Sequence, residues 1–188
     1  MQEVAKRFNR GICEIARLNR MADPILVYAG EELTIPGQIC DPDSETCLLR
    51  DLHPTRDCIF GGVHVYQSQL GDTIRKIAVE KFNITVDAII GSLSLTSTGN
   101  VGADEVLPVN SEIKIPLCLN TRCSFEPYYL QEGTFVDLAK KFDVTYGQIS
   151  ALNYAFNVSS LVHGTQGPTL TMPMNCTALP GYNGTASS

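Results

Sequence analysis

Cysteine is the residue type with the most chemistry to offer in this 188-residue chain. Seven occur, at Cys13, Cys40, Cys47, Cys58, Cys118, Cys123 and Cys176. No pair has the Cys-x-x-Cys spacing of zinc or thioredoxin-type sites, and the three histidines (His53, His64 and His163) complete no ligand set. Most of the cysteines lie in Pro- and polar-rich stretches between apolar segments, where disulfides would clamp linkers. Which cysteine pairs with which is not readable from spacing. Four Asn-x-Ser/Thr sequons, at Asn83, Asn157, Asn175 and Asn183, agree with passage through a secretory route.

Catalytic chemistry lacks its parts. A glycosidase needs two carboxylates flanking a cleft, and no acidic pair stands out from the scattered Asp and Glu. There is no Gly-x-Ser-x-Gly elbow and no Cys–His partnership. A non-catalytic protein with neither cofactor nor metal is expected. The balance of 20 Asp+Glu against 14 Lys+Arg argues against nucleic acid, whose affinity rests on neutralising phosphates. No window approaches the ~20 apolar residues a membrane-spanning helix needs. A hydrophobic content of 44% supports a folded core, and the absence of Trp removes the strongest stacking platform.

The elements that would position any site come as repeats. Phe8–Asn19 (FNRGICEIARLN) and Phe142–Asn153 (FDVTYGQISALN) align without a gap, and a third copy starts at Phe82 (FNITVDAIIGSL). Each copy later closes in an apolar run ending in proline: Leu33-Thr34-Ile35-Pro36, Ile113-Lys114-Ile115-Pro116 and Leu170-Thr171-Met172-Pro173. Ahead of the helices lie strand-like Val63-His64-Val65-Tyr66 and Tyr128-Tyr129-Leu130, then the turns Gly71-Asp72-Thr73 and Gly133-Thr134. Asp72 or Thr73 can cap the following helix, whose apolar stripe is Ile74, Ile77, Ala78 and Phe82. Phe135, Leu138, Ala139 and Phe142 form the matching stripe, and Thr145-x-x-Gln148 reads as a capping box. The order within a copy is strand, helix, helix, strand. Met1, Val4, Ala5 and Phe8 have helical spacing, so the chain opens with a helix already under way.

These motifs resemble LysM repeats over nearly the whole chain. The residues that carry the likeness are Gly71-Asp72-Thr73 with Ile77, Ala78 and Phe82, Gly133-Thr134-Phe135 with Leu138, Ala139 and Phe142, and Arg17-Leu18-Asn19 with Asp23-Pro24. Cysteine placement is similar to secreted fungal LysM effectors with three repeats, which bind chitin oligosaccharides. Plant LysM receptor ectodomains separate their repeats with Cys-x-Cys motifs, which are absent here. The resemblance implies an α+β chain of three tandem small βααβ modules with disulfide-clamped linkers. Its divisions are residues 1–37 (first repeat, without its first strand), 38–61 (Cys-rich linker), 62–117, 118–126 (linker), 127–176 and 177–188 (disordered tail). It also implies an N-terminally truncated first repeat, with a signal peptide and an eighth cysteine upstream.

Family members hold the sugar between the turn before the first helix and the loop before the closing strand. Carried over, this assigns Gly133, Thr134, Phe135 and Val136 with Asn157, Val158, Ser159 and Leu161 in the third repeat. The second offers Gly71, Asp72, Thr73 and Ile74, and the first Ala22, Asp23, Pro24, Ile25 and Leu26. The turn glycines, Asp72 and Thr73 also serve helix starts, and Ile74 and Phe135 also serve the core. Leu93 stands where the other copies have Asn19 and Asn153, so the second repeat's loop should differ. Val158 replaces the proline that follows Asp23 in the first repeat and creates the Asn157 sequon. The implied role is sequestering chitin fragments from host receptors or shielding the fungal wall, with ligand-mediated self-association as a further outcome. Alternatives are a plant-type receptor ectodomain or wall-anchoring modules of a cell-wall hydrolase.

Overall fold

The computed structural model describes residues 1–93, 102–156, 167–180 and 186–187. Its elements follow the repeats. Helices α1 (Gln2–Phe8) and α2 (Ile12–Leu18) form the first unit. Strand β1 (Val65–Gln67), a wide-turned helix π1 (Lys76–Phe82), α3 (Val86–Leu93) and β2 (Glu112–Lys114) form the second. After β3 (Leu117–Cys118), the third unit runs β4 (Thr121–Tyr129), α4 (Phe135–Phe142), α5 (Tyr146–Leu152) and β5 (Thr169–Ala178). The two-residue strand β6 (Ala186–Ser187) pairs with β3, which places part of the tail expected to be disordered. Strands β1 and β2 pair antiparallel, as do β4 and β5, so second and third units each read strand–helix–helix–strand.

Local chemistry accounts for the elements. Thr134 caps α4 and Thr145 caps α5, each in a reciprocal capping box, with Asp137 and Gln148 as the returning side chains. Gly133 sits at φ 102°, where a side chain would strain the turn. The Thr73 hydroxyl accepts from the Lys76 N–H at 3.2 Å and starts the second unit's helix. Gly11 precedes α2 with no capping side chain of its own. The linker supplies the acceptors instead: Asp43 carbonyl for the Cys13 N–H at 2.8 Å and the Ser44 hydroxyl for the Ile12 N–H at 3.2 Å.

Each unit has its own small core. In the first, Ala5, Ile12, Cys13, Ile15 and Cys47 are buried with Leu33 and Ile35 against them. The stripe Ile74, Ile77, Ala78 and Phe82 joins Tyr66, Ile89 and Ile113 in the second. Leu130, Phe135, Leu138, Ile149, Leu170 and Met172 form the third, and Ala22 and Leu26 reach into it from the first unit. One disulfide accompanies each unit: Cys13–Cys47, Cys58–Cys118 and Cys123–Cys176, while Cys40 stays an exposed thiol outside these pairs.

The asparagines that recur in the alignment turn out to be staples. Asn19 donates to the Ile15 carbonyl at 2.7 Å and the Thr34 carbonyl at 2.8 Å, and accepts from the Thr34 N–H at 2.8 Å. Asn153 repeats the pattern with Ile149 at 2.8 Å and Thr171 at 2.9 and 2.8 Å. Where Leu93 breaks the pattern, the neighbouring Ser92 hydroxyl bonds the Ile89 and Lys114 carbonyls at 2.8 and 2.9 Å. Replacing the buried Asn19 with alanine should cost about 1–3 kcal/mol, because it strands two backbone groups of the closing run. Thermal unfolding checks this; an unchanged midpoint would show that the staple carries no stability.

Three expectations need correction. The run Leu33-Thr34-Ile35-Pro36 forms no strand, because among the described residues no strand lies beside it; packing and Asn19 hold it instead. Most of the expected second linker, residues 118–126, is strand: β4 begins at Thr121 and β5 extends to Ala178 to pair with it. Between Arg122 and Ser124 the register slips, with Asn175 at φ 53°, and the Cys123–Cys176 bridge sits on that bulge. The second unit's first helix closes wider, i to i+5, turns, as in the Asn83 N–H to Ala78 carbonyl bond.

Candidate functional site

The second unit brings its two candidate loops together. Gly71 takes φ 80°, which favours glycine. The following segment is zipped onto the closing loop: Thr73 bridges Val106, the Arg75 N–H donates to the Ala103 carbonyl at 2.9 Å, and the Leu107 N–H donates to the Asp72 carbonyl at 2.8 Å. Asp72, Thr73 and Ile74 are all buried.

Beneath this turn is a buried charged cluster. Lys81 falls seven residues after Ile74, on the helix face that packs inward, and only 6% of its side chain is exposed. Its ammonium lies 2.8 Å from Asp72 Oδ1, 2.6 Å from the Tyr66 hydroxyl and 3.0 Å from Gln69 Oε1. Asp72 Oδ2 also accepts from the Tyr66 O–H and the Gln69 N–H, both at 2.8 Å. The Lys81 charge also lies 5.6 Å from the ring centre of Tyr146 in the third unit. Burial, followed by the nearby Asp72 carboxylate, pushes the Tyr66 phenol upward. Burial also raises Tyr146, with the Asp23 and Asp72 charges adding to it. Asp23, from the first unit, is raised by burial against the partial opposition of its Ile25 N–H bond and the Lys81 charge. Asp72 is therefore spent on internal pairing. Sequence reasoning missed Lys81, although its place on the stripe Ile74, Ile77, Ala78, Phe82 was the available signal.

First and third units meet over the other candidate residues. The Gly133 N–H donates to the Arg17 carbonyl at 3.2 Å and the Phe135 N–H to the Ala22 carbonyl at 3.3 Å. The Thr134 N–H donates to Asp137 Oδ2 at 2.9 Å. Arg17 grips Asp137 with two bonds of 3.0 and 2.9 Å and reaches Asp43 at 2.8 Å. Burial would raise both carboxyls, but it is outweighed at Asp137 by Arg17 and Thr134, and at Asp43 by Thr46, Arg17 and Glu45; both lie below the usual carboxylate range. Thr134, Phe135, Val136 and Ala22 are buried in this contact, Asp23 and Leu26 are half-buried, and Ile25 is exposed. The structure thus joins the Ala22–Leu26 loop to the Gly133–Val136 turn. It leaves Gly71–Ile74 as a separate turn of the second unit.

Asn157, Val158, Ser159 and Leu161 lie outside the described residues, as does the Asn183 sequon. Asn83 and Asn175 are exposed. Among the described residues no cluster of His, Cys, Asp and Glu could hold a metal ion, and no helix is long and apolar enough to cross a membrane.

Comparison with known proteins places a LysM module at the start of the chain and finds relatives along most of its length. Residues 1–36 match the LysM domain family. The secreted LysM effector LysM13 of Penicillium expansum is 41% identical over 176 residues, covering 94% of this chain and 75% of that protein. The secreted LysM effector ECP6 of Passalora fulva is 33% identical over 178 residues, covering 94% of this chain and 74% of that protein. Secreted LysM effector ELP2 of Colletotrichum higginsianum is 32% identical over 115 residues, 61% of this chain and 60% of its own length. With a matching family domain, closely related sequences along most of its length, three disulfides and mixed helix–strand units, the chain belongs to the family of secreted LysM effectors.

Proposed function

We propose that the chain carries three LysM modules in tandem and binds chitin oligosaccharides without chemically altering them. Chitin is uncharged, so recognition needs hydrogen bonds to the acetamido N–H and C=O and apolar contact with its methyl, not an ion pair. The observation that best supports this reading is the meeting of the first unit's Ala22–Leu26 loop with the third unit's Gly133–Val136 turn. A polymer laid over that junction would touch both units at once. The second unit's turn, Gly71 to Ile74, is a further contact in this proposal. Sequestering chitin fragments from host receptors, or coating the fungal wall, would follow from such binding in an extracellular protein.

Isothermal titration of chitin hexamer into the oxidised protein tests it, with a peptidoglycan fragment as control. Saturable heat with the hexamer alone is expected. No heat with the hexamer would overturn the proposal and leave only the fold.

A further inference from the structure

All three units contribute to one cleft of about 330 Å³. Tyr28 comes from the first unit, Gln67, Leu70 and Asn110 from the second, and Ser150 and Tyr154 from the third. Its size falls within the usual range for small-molecule sites of roughly 300–1,000 Å³. The lining contains no Asp, Glu, Lys or Arg. Three other clefts formed by described residues all contain charges: Arg50, Glu80 and Lys140 in one, Arg56 and Asp143 in another, Arg17, Glu132 and Lys141 in the third. In a chain of net charge −6, a neutral cleft selects for an uncharged ligand.

The side chains are free to act. Tyr154 is 67% exposed, Leu70 59% and Tyr28 48%, so large apolar groups face solvent from all three walls. The side-chain amides of Gln67 and Asn110 have no hydrogen-bond partner among the described residues, which leaves each able to donate and accept. By contrast, the Gly133 and Phe135 N–H groups are committed to the first unit, and Asp72 to Lys81. The floor is fixed: Gln69 donates to the Ser150 hydroxyl at 3.4 Å and accepts from Lys81 at 3.0 Å, so the walls rest on the buried charged cluster.

We propose that this three-walled cleft is where an N-acetylated sugar chain is read by side chains, with Tyr28 and Tyr154 against sugar faces and the Gln67 and Asn110 amides on the acetamido groups. The ligand class rests on the chitin-binding reading; the location does not follow from it. Amphipathic tyrosines suit a ligand with apolar faces and hydroxylated edges. Two amides match the N–H and C=O of the acetamido group, and Leu70 offers its methyl an apolar contact.

The test is titration of chitin hexamer into wild type, Tyr154→Ala, Asn110→Gly and Gln67→Ala, with Tyr129→Ala as an exposed control that is not part of the lining. Glycine is chosen at position 110 because its φ is 65°. Tyr154→Ala should bind about tenfold or more weakly, and Asn110→Gly and Gln67→Ala several-fold, with Tyr129→Ala unchanged. Thermal midpoints equal to wild type verify folding, since these side chains do not enter the cores. If wild type binds and Tyr154→Ala and Asn110→Gly bind equally well, the cleft is not the site, while the chitin reading stands. If wild type itself is silent, the chitin reading fails and takes this proposal with it. Equal affinity for cellohexaose, which lacks acetamido groups, would overturn the assignment of the amides.

Discussion

Replacing Lys81 with methionine is expected to destabilise the protein by about 3–5 kcal/mol, because removing one partner of a buried ion pair leaves the other uncompensated. Asp72 would keep its Tyr66 and Gln69 hydrogen bonds but lose the only ammonium in contact with it among the described residues. At roughly 2–4 °C per kcal/mol for a chain of this size, the midpoint should fall by about 6–20 °C. The double variant Lys81→Met with Asp72→Asn should recover part of the loss at neutral pH, since it removes the stranded charge. Melts followed by circular dichroism measure both, and a Lys81→Met midpoint within a degree of wild type would refute the account.

The second large effect belongs to the Cys58–Cys118 disulfide. Its cysteines are 60 residues apart and lie on either side of the second unit, one before β1 and one after β2. On the chain-entropy account, a loop of that length confers about 4 kcal/mol by restricting the unfolded state. Replacing both cysteines with alanine should therefore lower the melting midpoint by roughly 8–16 °C. The folded ends remain joined by the Ile59 N–H to Pro116 carbonyl bond at 3.1 Å and the Cys118 N–H to Ile59 carbonyl bond at 2.9 Å, so the native geometry should survive. Hexamer titration on the variant below its midpoint should match wild type. A loss under about 1 kcal/mol would show that the unfolded chain already holds these ends together.

What was legible in the sequence follows from range. Helix stripes, the Thr145–Gln148 box and the closing runs are local patterns, and the structure contains each helix they predicted. The Arg17–Asp137 pair was not legible, because 120 residues separate its members and nothing in either segment announces the other. The part of strand β4 before Tyr128 was hidden for a different reason. Thr121–Tyr129 is exposed or half-exposed at every position, so it has no apolar alternation to signal a pleated sheet. Lys81 was overlooked because a lysine on an apolar stripe looks like an interruption until its partner, nine residues earlier, is seen beside it. The candidate binding residues divide on the same line. Turn geometry at Gly71 and Gly133 followed from residue type, whereas occupation of the third unit's turn by the first unit depends on packing between distant segments.

The asparagine staples bear on how the chain reaches this structure. Asn19 is 15 residues from Thr34 and Asn153 is 18 from Thr171, so each contact closes a short loop. Short loops cost little chain entropy and form early, before partners tens of residues away can meet. A side-chain amide that donates to one carbonyl and accepts from the N–H of the same residue substitutes for the peptide group of a neighbouring strand. The end of a unit can thus be pinned to its own helix pair without waiting for a sheet. Docking of units through Arg17 and Lys81 becomes a later event, joining pieces whose ends are already set.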